Sequence, residues 1–204
     1  GNNGAATIES WDAGKSGKGY KFDAAKTAIT VKPSDVLTKL KAPMSIGCWI
    51  KPLSFPVEWM AIAEMEATAA NRANGWKLGL HNTNPVFTTY GVMDHFGTGS
   101  IKTGEWTHYA CTYDGKTVTF YINGKVDSEV AGQGAINVTQ SPGLNIGAEG
   151  GKPGNYPINA VLDDLWISNV AKKLEDIQKL MTPEVSTAVE PGGKAAATWG
   201  ALKF

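Results

Sequence analysis

The sequence predicts an all-β fold, a sandwich of many short strands, on three observations. Glycine and proline are abundant, 24 and 10 of 204 residues, and this punctuation suits short strands better than a helical bundle. Apolar residues make up 42%, ample for a core and too many for a disordered chain. Strand-like runs recur along most of the length at the spacing of a sandwich. Other classes are excluded at the same level. No apolar run approaches the roughly 18 to 20 residues that a membrane helix needs. The 19 basic residues are balanced by 19 acidic ones, unlike a protein built to coat nucleic acid, whose affinity rests on Lys and Arg neutralising phosphates.

The elements follow in order. The chain opens Gly1-Asn2-Asn3-Gly4 without Met or a hydrophobic signal core, as expected of a mature secreted chain or a domain cut from a longer protein. Up to about Lys41, two strands and a loop are expected around Ala6-Thr7-Ile8, Tyr20-Lys21-Phe22 and Ala28-Ile29-Thr30-Val31. Strand signals then fall at Met44–Pro52, Trp59–Met65, Gly75–Leu80, Val86–Val92, Thr107–Tyr113, Val118–Ile122, Val126–Glu129, Leu144–Gly147 and Val161–Ser168. Asp114-Gly115 and Asn123-Gly124 suit tight reversals that need positive φ, so Thr107 to Glu129 reads as a meander. Val170, Leu174, Ile177 and Met181 recur at helical spacing and Pro183 stops the run, which predicts one short C-terminal helix. Residues 1–181 read as one domain. Residues 182–204, rich in Ala, Gly and Pro, read as a tail or linker, or as a closing strand anchored by Trp199.

The two cysteines, Cys48 and Cys111, allow a disulfide, two buried thiols or half of a metal site, and neither has a Cys or His at zinc-ligand spacing. Alternation in Met44-Ser45-Ile46-Gly47-Cys48-Trp49-Ile50 and in Tyr109-Ala110-Cys111-Thr112-Tyr113 turns both sulfurs to one side if the strands are neighbours. That context favours the bridge over reduced core thiols. Closing a loop of about 60 residues is worth roughly 4 kcal/mol in the chain-entropy model, and a bridge belongs outside the cytosol.

The run Thr103-Gly104-Glu105-Trp106-Thr107-His108-Tyr109-Ala110-Cys111-Thr112-Tyr113-Asp114-Gly115-Lys116, followed by Tyr121-Ile122-Asn123-Gly124-Lys125, resembles the central signature of laminin-G-like jelly-roll domains of the concanavalin-like lectin/glucanase superfamily. Ser45 to Pro52 resembles that family's earlier strand. Lys15 to Asp23 resembles its N-terminal stretch, and Val161-Leu162-Asp163-Asp164-Leu165-Trp166-Ile167 its closing strand before the helix. The resemblance covers about residues 1 to 181 and implies a concanavalin-like jelly-roll sandwich of two antiparallel sheets with one short C-terminal helix. Cys48 and Cys111 also fall where the pentraxins of the same superfamily carry a disulfide, so this second resemblance implies a Cys48–Cys111 bridge. The paired calcium ions of pentraxins are not implied, because Gly147-Ala148-Glu149-Gly150-Gly151-Lys152 offers a single carboxylate where their acidic cluster would stand. One structural calcium ion is implied by concanavalin-like sandwiches more broadly, with Asp163 as a ligand, Asp23 or nearby backbone carbonyls completing the shell, and Asn2 and Asn3 as further oxygen donors. The alternative for Asp163 is a buried carboxylate accepting backbone hydrogen bonds.

Catalysis finds little apparatus. Glu64-Met65-Glu66 places two carboxylates on one strand face, as a retaining glycosidase requires, but the third acid of the glucanase pattern is replaced by Ala67-Thr68-Ala69. Two solvated strand-edge carboxylates are the better reading. His81, His95 and His108 share no metal spacing, and neither a nucleophile elbow nor a phosphate-binding loop occurs. Aromatic residues remain. Of the seven Trp, Trp49, Trp106 and Trp166 sit within strand signatures and are assigned to packing. Trp59 follows a turn, and Tyr90-Gly91-Val92-Met93-Asp94-His95-Phe96-Gly97-Thr98-Gly99 and Gly151-Lys152-Pro153-Gly154-Asn155-Tyr156-Pro157 place rings and polar groups on expected loops. Loops at one end of a sandwich commonly carry its binding site. Trp59, Tyr90, Asp94, His95, Asn155 and Tyr156 are therefore the candidate ligand-binding residues. The resulting expectation is a non-enzymatic, extracellular or cell-surface recognition module whose partner is a glycan or a cell-surface protein, with carbohydrate binding favoured. A protein-binding adhesion module is the alternative, and a glycoside hydrolase or polysaccharide lyase a more distant one. Neither nucleic acid nor membrane insertion is expected.

Overall fold

The computed structural model describes residues 4–6, 10–68, 71–138 and 143–182, with backbone alone for 4–5, 66–68 and 71. Asn2, Asn3, Ile8, Pro183 and the expected tail with Trp199 lie outside the described residues. In chain order the strands are β1 (Gly4–Ala6), β2 (Trp11–Ala13), β3 (Lys18–Phe22), β4 (Ile29–Val31), β5 (Met44–Ser54), β6 (Trp59–Thr68) and β7 (Asn71–His81). They continue with β8 (Asn84–Thr89), β9 (Met93–Phe96), β10 (Thr107–Tyr113), β11 (Thr117–Ile122), β12 (Lys125–Ala131), β13 (Leu144–Ile146) and β14 (Asn159–Ser168), and the helix α1 (Leu174–Leu180) follows.

They form two seven-stranded sheets, in the orders β1-β4-β13-β6-β7-β8-β9 and β12-β11-β10-β5-β14-β3-β2, with antiparallel neighbours. The order is not sequential, so the chain crosses repeatedly between sheets, and the architecture is a concanavalin-like jelly-roll sandwich. The period-2 alternation sends Phe22, Ile46, Ile50, Met60, Met65, Trp76, Phe87, Tyr109, Tyr113 and Phe120 between the sheets, where they are buried. Burying a large apolar side chain contributes about 1.5–3 kcal/mol each, and the ring polar groups are satisfied in place: Trp76 Nε1 donates to the Leu40 carbonyl at 2.8 Å.

The meander forms as the sequence predicts. Ile122 pairs with Lys125 across Asn123-Gly124, both at positive φ (49° and 68°). Asp114 closes the preceding turn by accepting the Lys116 and Thr117 amides, each at 2.7 Å.

Three expectations need correction. The Cys48–Cys111 bridge is absent, and both thiols are free and buried. The side chains do face the core together, but Cys48 stands opposite Tyr109 and Cys111 opposite Ile46. The cysteines are thus diagonal neighbours, roughly 7–8 Å apart with the Cβ atoms somewhat closer, whereas a disulfide needs Cβ atoms within roughly 3.5–4.5 Å. Second, Tyr90 to Gly99 is not all loop: after the Tyr90–Val92 turn, β9 pairs with β8, an edge strand whose short length hides its alternation. Third, the helix starts at Leu174 and not at Val170, which is 49% exposed. The Ser45 hydroxyl donates to the Val170 carbonyl at 2.6 Å and accepts the Lys172 amide at 2.8 Å, so this segment is held against β5 as a connector. From α1, Ile177 covers Ala110, Tyr121 and Trp166 on the outer face of the second sheet.

Candidate functional site

The outer face of the first sheet carries an unusual row. Thr30 of β4 is the cross-strand partner of Asn145, Asn145 of Glu64, Glu64 of Lys77, Lys77 of Thr88, and Thr88 of Asp94. Their sequence neighbours Met65, Trp76, Leu78 and Phe87 point into the core, so these six polar side chains face outward together. Hydrogen bonds run along the row: Thr30 Oγ1 to Asn145 Oδ1 at 3.1 Å, Asn145 Nδ2 to Glu64 Oε1 at 3.1 Å, and Thr88 Oγ1 to Asp94 Oδ1 at 2.5 Å.

A loop folds over the β13–β6 end of this row. Gly150 donates its amide to Glu64 Oε1. At Gly151 a Cβ would stand 2.3 Å from Thr30 Oγ1 and 2.7 Å from Asn145 Oδ1, at φ 64°, so only glycine lets the backbone cross here. The loop closes on itself through Glu149 N to Asn155 O at 2.9 Å and Asn155 Nδ2 to Glu149 O at 3.1 Å. Its last residue, Tyr156, takes the left-handed conformation (φ 43°), costly for an aromatic residue. The Tyr156 carbonyl accepts the Ala61 amide at 2.8 Å, which fixes the loop to β6.

What remains open is a cleft of about 410 Å³, within the range of roughly 300–1,000 Å³ usual for ligand pockets. It is lined by Trp59, Arg72, Lys77, Thr88, Tyr156 and the segment from Tyr90 to Asp94. Lys77 is nearly buried, and its ammonium lies 5.2, 5.9 and 5.6 Å from the ring centroids of Trp59, Tyr90 and Tyr156. Below the cleft floor, Glu149 is buried and forms an ion pair with Arg72, whose guanidinium lies 4.9 Å from the Tyr156 ring. The Tyr90 hydroxyl lies 2.9 Å from Glu64 Oε2 and 3.3 Å from Glu149 Oε2, so the two carboxylates compete for one phenolic proton.

Burial raises the pKa of Glu64 above the ordinary carboxylate value; the hydrogen bonds from Gly150, Tyr90 and Asn145 oppose the shift and the charge of Glu149 adds to it. Burial lowers the pKa of Lys77, against the pull of Glu149 and Asp94. Next to the cleft the rings of Trp59, His81 and Phe96 cluster, with centroids 4.4 Å apart for Trp59–His81 and 5.8 Å for Trp59–Phe96, and Phe96 is 42% exposed. They extend the aromatic surface along the sheet.

Of the candidates from sequence, Trp59, Tyr90, Asp94 and Tyr156 come together in this cleft. His95 does not: it faces the core side of β9, between Phe87 and Tyr113, with Nε2 3.2 Å from Thr89 Oγ1. Asn155 does not line the cleft either and holds the loop that carries Tyr156. The reading of Glu64 as a solvated strand-edge carboxylate is overturned, because β6 is interior to the sheet and the loop buries Glu64 completely. The Glu66 side chain lies outside the described residues. Sequence reasoning missed Arg72, Lys77, Thr88 and Glu149. Lys77 had a signal, since Gly75-Trp76-Lys77-Leu78-Gly79-Leu80 alternates large apolar residues with Gly, Lys, Gly, leaving a lysine with room on both sides along one face.

Asp23 and Asp163 are not gathered into one shell. Asp163 is buried, with Oδ2 accepting the Ser16 amide at 3.1 Å and Oδ1 the Asp164 amide at 2.9 Å. Asp23 is exposed at the end of β3, where Oδ1 accepts the Ala25 amide at 3.2 Å and Oδ2 lies 3.9 Å from Lys26 Nζ. Leu162 pairs with Tyr20 and Ala160 with Phe22, so Asp23 lies beyond the Phe22 end of the pairing and Asp163 beyond the Tyr20 end. Among the described residues no group of three His, Cys, Asp or Glu is placed to hold a metal. Asp23 and Asp163 therefore do not share one site.

A family model of the concanavalin A-like lectin/glucanases superfamily, of laminin G type, matches residues 23–178, and the chain belongs to that family. No curated protein sequence matches the chain. Among solved structures, domain 4 of the extracellular GH43 arabinanase AbnA from Geobacillus stearothermophilus, in complex with arabinotriose, is similar with a TM-score of 0.67 and 20% identity, over 88% of each chain. The heptameric SAP-like pentraxin of Limulus polyphemus is similar at 0.60 and 14%, over 89% of this chain and 82% of that one. A structure of botulinum neurotoxin type C, whose cell entry is described as dependent on two ganglioside molecules, is similar at 0.62 and 14%, over 88% of this chain but only 46% of that one. At these identities the likeness establishes the fold.

Proposed function

We propose that the chain is a non-catalytic carbohydrate-binding module acting outside the cytosol, with its ligand in the cleft over the polar row. The observation that carries this reading is the composition of the cleft: the rings of Trp59, Tyr90 and Tyr156 stand around Arg72, Lys77, Thr88 and Asp94. Sugars present both C–H faces that pack on rings and hydroxyls that need donors and acceptors, and this set supplies both. The arabinotriose complex of the arabinanase domain and the ganglioside dependence of the neurotoxin lend support from proteins of the same fold. The absence of catalysis is supported by where the acids lie. Glu64 and Glu149 are buried beneath the floor and committed to Gly150, Asn145, Tyr90 and Arg72, not poised on either side of an open bond. Direct recognition without a bridging calcium ion follows from a cleft that contains its own cations and hydrogen-bonding groups.

The test is a glycan array with the chain and with Tyr156→Ala, each in calcium and in chelator. The expected result is a restricted set of hits, unchanged by chelation and lost in the variant. A blank array with a folded chain would move the reading to protein adhesion through the exposed Val92, Met93 and Phe96.

A further inference from the structure

The cations of the cleft are unevenly matched. The Lys77 side chain is 5% exposed, and its carboxylate partner among the described residues, Glu149 Oε2, stands at 3.9 Å, beyond hydrogen-bonding length. That same carboxylate is held more closely by Arg72 through its other oxygen and also faces the Tyr90 hydroxyl. Glu64, the cross-strand neighbour of Lys77, is occupied by Gly150, Asn145 and Tyr90. Asp94, two strands away, pulls on Lys77 through its charge without forming an ion pair with it, and accepts the Thr88 hydroxyl. Arg72 and Lys77 thus converge on one ion-pair partner, Glu149, and among the described residues Lys77 has no carboxylate oxygen within hydrogen-bonding length. The ammonium donors of Lys77 face a space walled by three aromatic rings, where water is a poor substitute for a counter-charge.

Resting on the proposed carbohydrate reading, we infer that the preferred ligand is an acidic saccharide whose carboxylate sits between Lys77 and Arg72 while its hydroxyls meet Thr88 and Asp94. A neutral hydroxyl would give Lys77 an acceptor but no charge. A carboxylate gives both, and its planar pair of oxygens suits the half-exposed guanidinium of Arg72, whose side chain is 47% open to solvent. Asp94 at the far rim repels a second acidic group, which fixes the direction of the chain in the cleft. An acidic sugar linked to neutral ones is therefore favoured over a uniformly charged polymer.

The experiment compares oligosaccharides bearing a uronic or sialic acid with their methyl esters, the same rings without the charge, by titration calorimetry. The free acids are expected to bind at least about tenfold more tightly than the esters, since a charge-assisted contact in a desolvated site is being removed. Lys77→Met is expected to abolish that preference. Because a buried substitution can also impair folding, Arg72→Lys is measured in parallel: it keeps a positive charge beside the buried Glu149, so the Tm is expected to stay close to that of the parent, while loss of the planar guanidinium is expected to reduce the preference. Equal binding of acids and esters, or capture of neutral glycans alone, would overturn the inference and leave the carbohydrate reading intact. Failure to bind any saccharide would overturn both. A preference for the acid that survives in both variants would place the carboxylate elsewhere and also overturn it.

Discussion

His108 lies on the outer face of the second sheet, fully buried beside Trp49, and neither ring nitrogen has a hydrogen-bond partner among the described residues. Burial pushes its pKa from 6.5 down to about 4. The sign of the consequence is fixed. Between these two values the unfolded chain takes up a proton that the folded chain refuses, so the stability is fully present above pH 6.5 and is lost as the pH falls towards 4. The full difference is about 3 kcal/mol. Glu64, with its pKa raised by burial, acts in the opposite direction: its favourable contribution is present below the ordinary carboxylate value and lost as the pH rises through the folded one. A comparison of Tm between about pH 7 and pH 4.5 for the parent and His108→Phe is expected to show the parent falling more steeply, and parallel curves would contradict the assignment. The cysteines of β5 and β10 mark the limit of reading single residues. Alternation turns both to one face, but whether they meet depends on the register between strands, which no residue carries alone.

At the scale of elements, the loop between β13 and β14 decides the shape of the cleft. It rests on Glu64 through Gly150 and ends on β6 through Tyr156. Gly151→Ala would put a methyl group against Thr30 and Asn145 at a positive φ. The expected cost is about 2–3 kcal/mol, with loss of ligand binding as Tyr156 moves. Gly154 also has positive φ (87°), but a Cβ added there would meet nothing within 4 Å. Gly154→Ala is therefore expected to cost only the backbone preference, about 1 kcal/mol, and to bind normally. Thermal melts with a binding assay on the pair check this; equal effects would mean that the loop does not rest on the row. Elements with a strong local pattern are legible from sequence: the long strands β5 to β8, and the meander with its two Gly-containing turns. The short strand β9 is not, because four residues between turns carry too little alternation to distinguish from a loop. The start of α1 is not either, because Val170 fits the helical spacing while Ser45, 125 residues away in the chain, holds its carbonyl.

For the whole molecule, the two outer faces of the sandwich differ in kind. The second sheet is covered by α1 and by large rings: Ile177 packs on Trp166, and Lys15 lies 4.4 Å from the Trp49 ring. The first sheet keeps its polar row partly open. The half of the candidate site that is readable in the sequence, Trp59, Tyr90, Asp94 and Tyr156, consists of residues at or near turns, where an aromatic or acidic side chain stands out against its neighbours. The other half, Arg72, Lys77, Thr88 and Glu149, becomes a site only when five strands align in register, and a lysine inside a strand signature carries no mark of what faces it. The fold alone leaves function open, since one sandwich can support many sites. Ligand binding therefore belongs to the open part of the row, from Lys77 to Asp94. The most direct measurement is a structure of the chain with the strongest saccharide hit from the array. The sugar is expected between Trp59 and Tyr156, in contact with Lys77 and Arg72. A saccharide bound on the second sheet or at a sandwich edge, with this cleft empty, would contradict it.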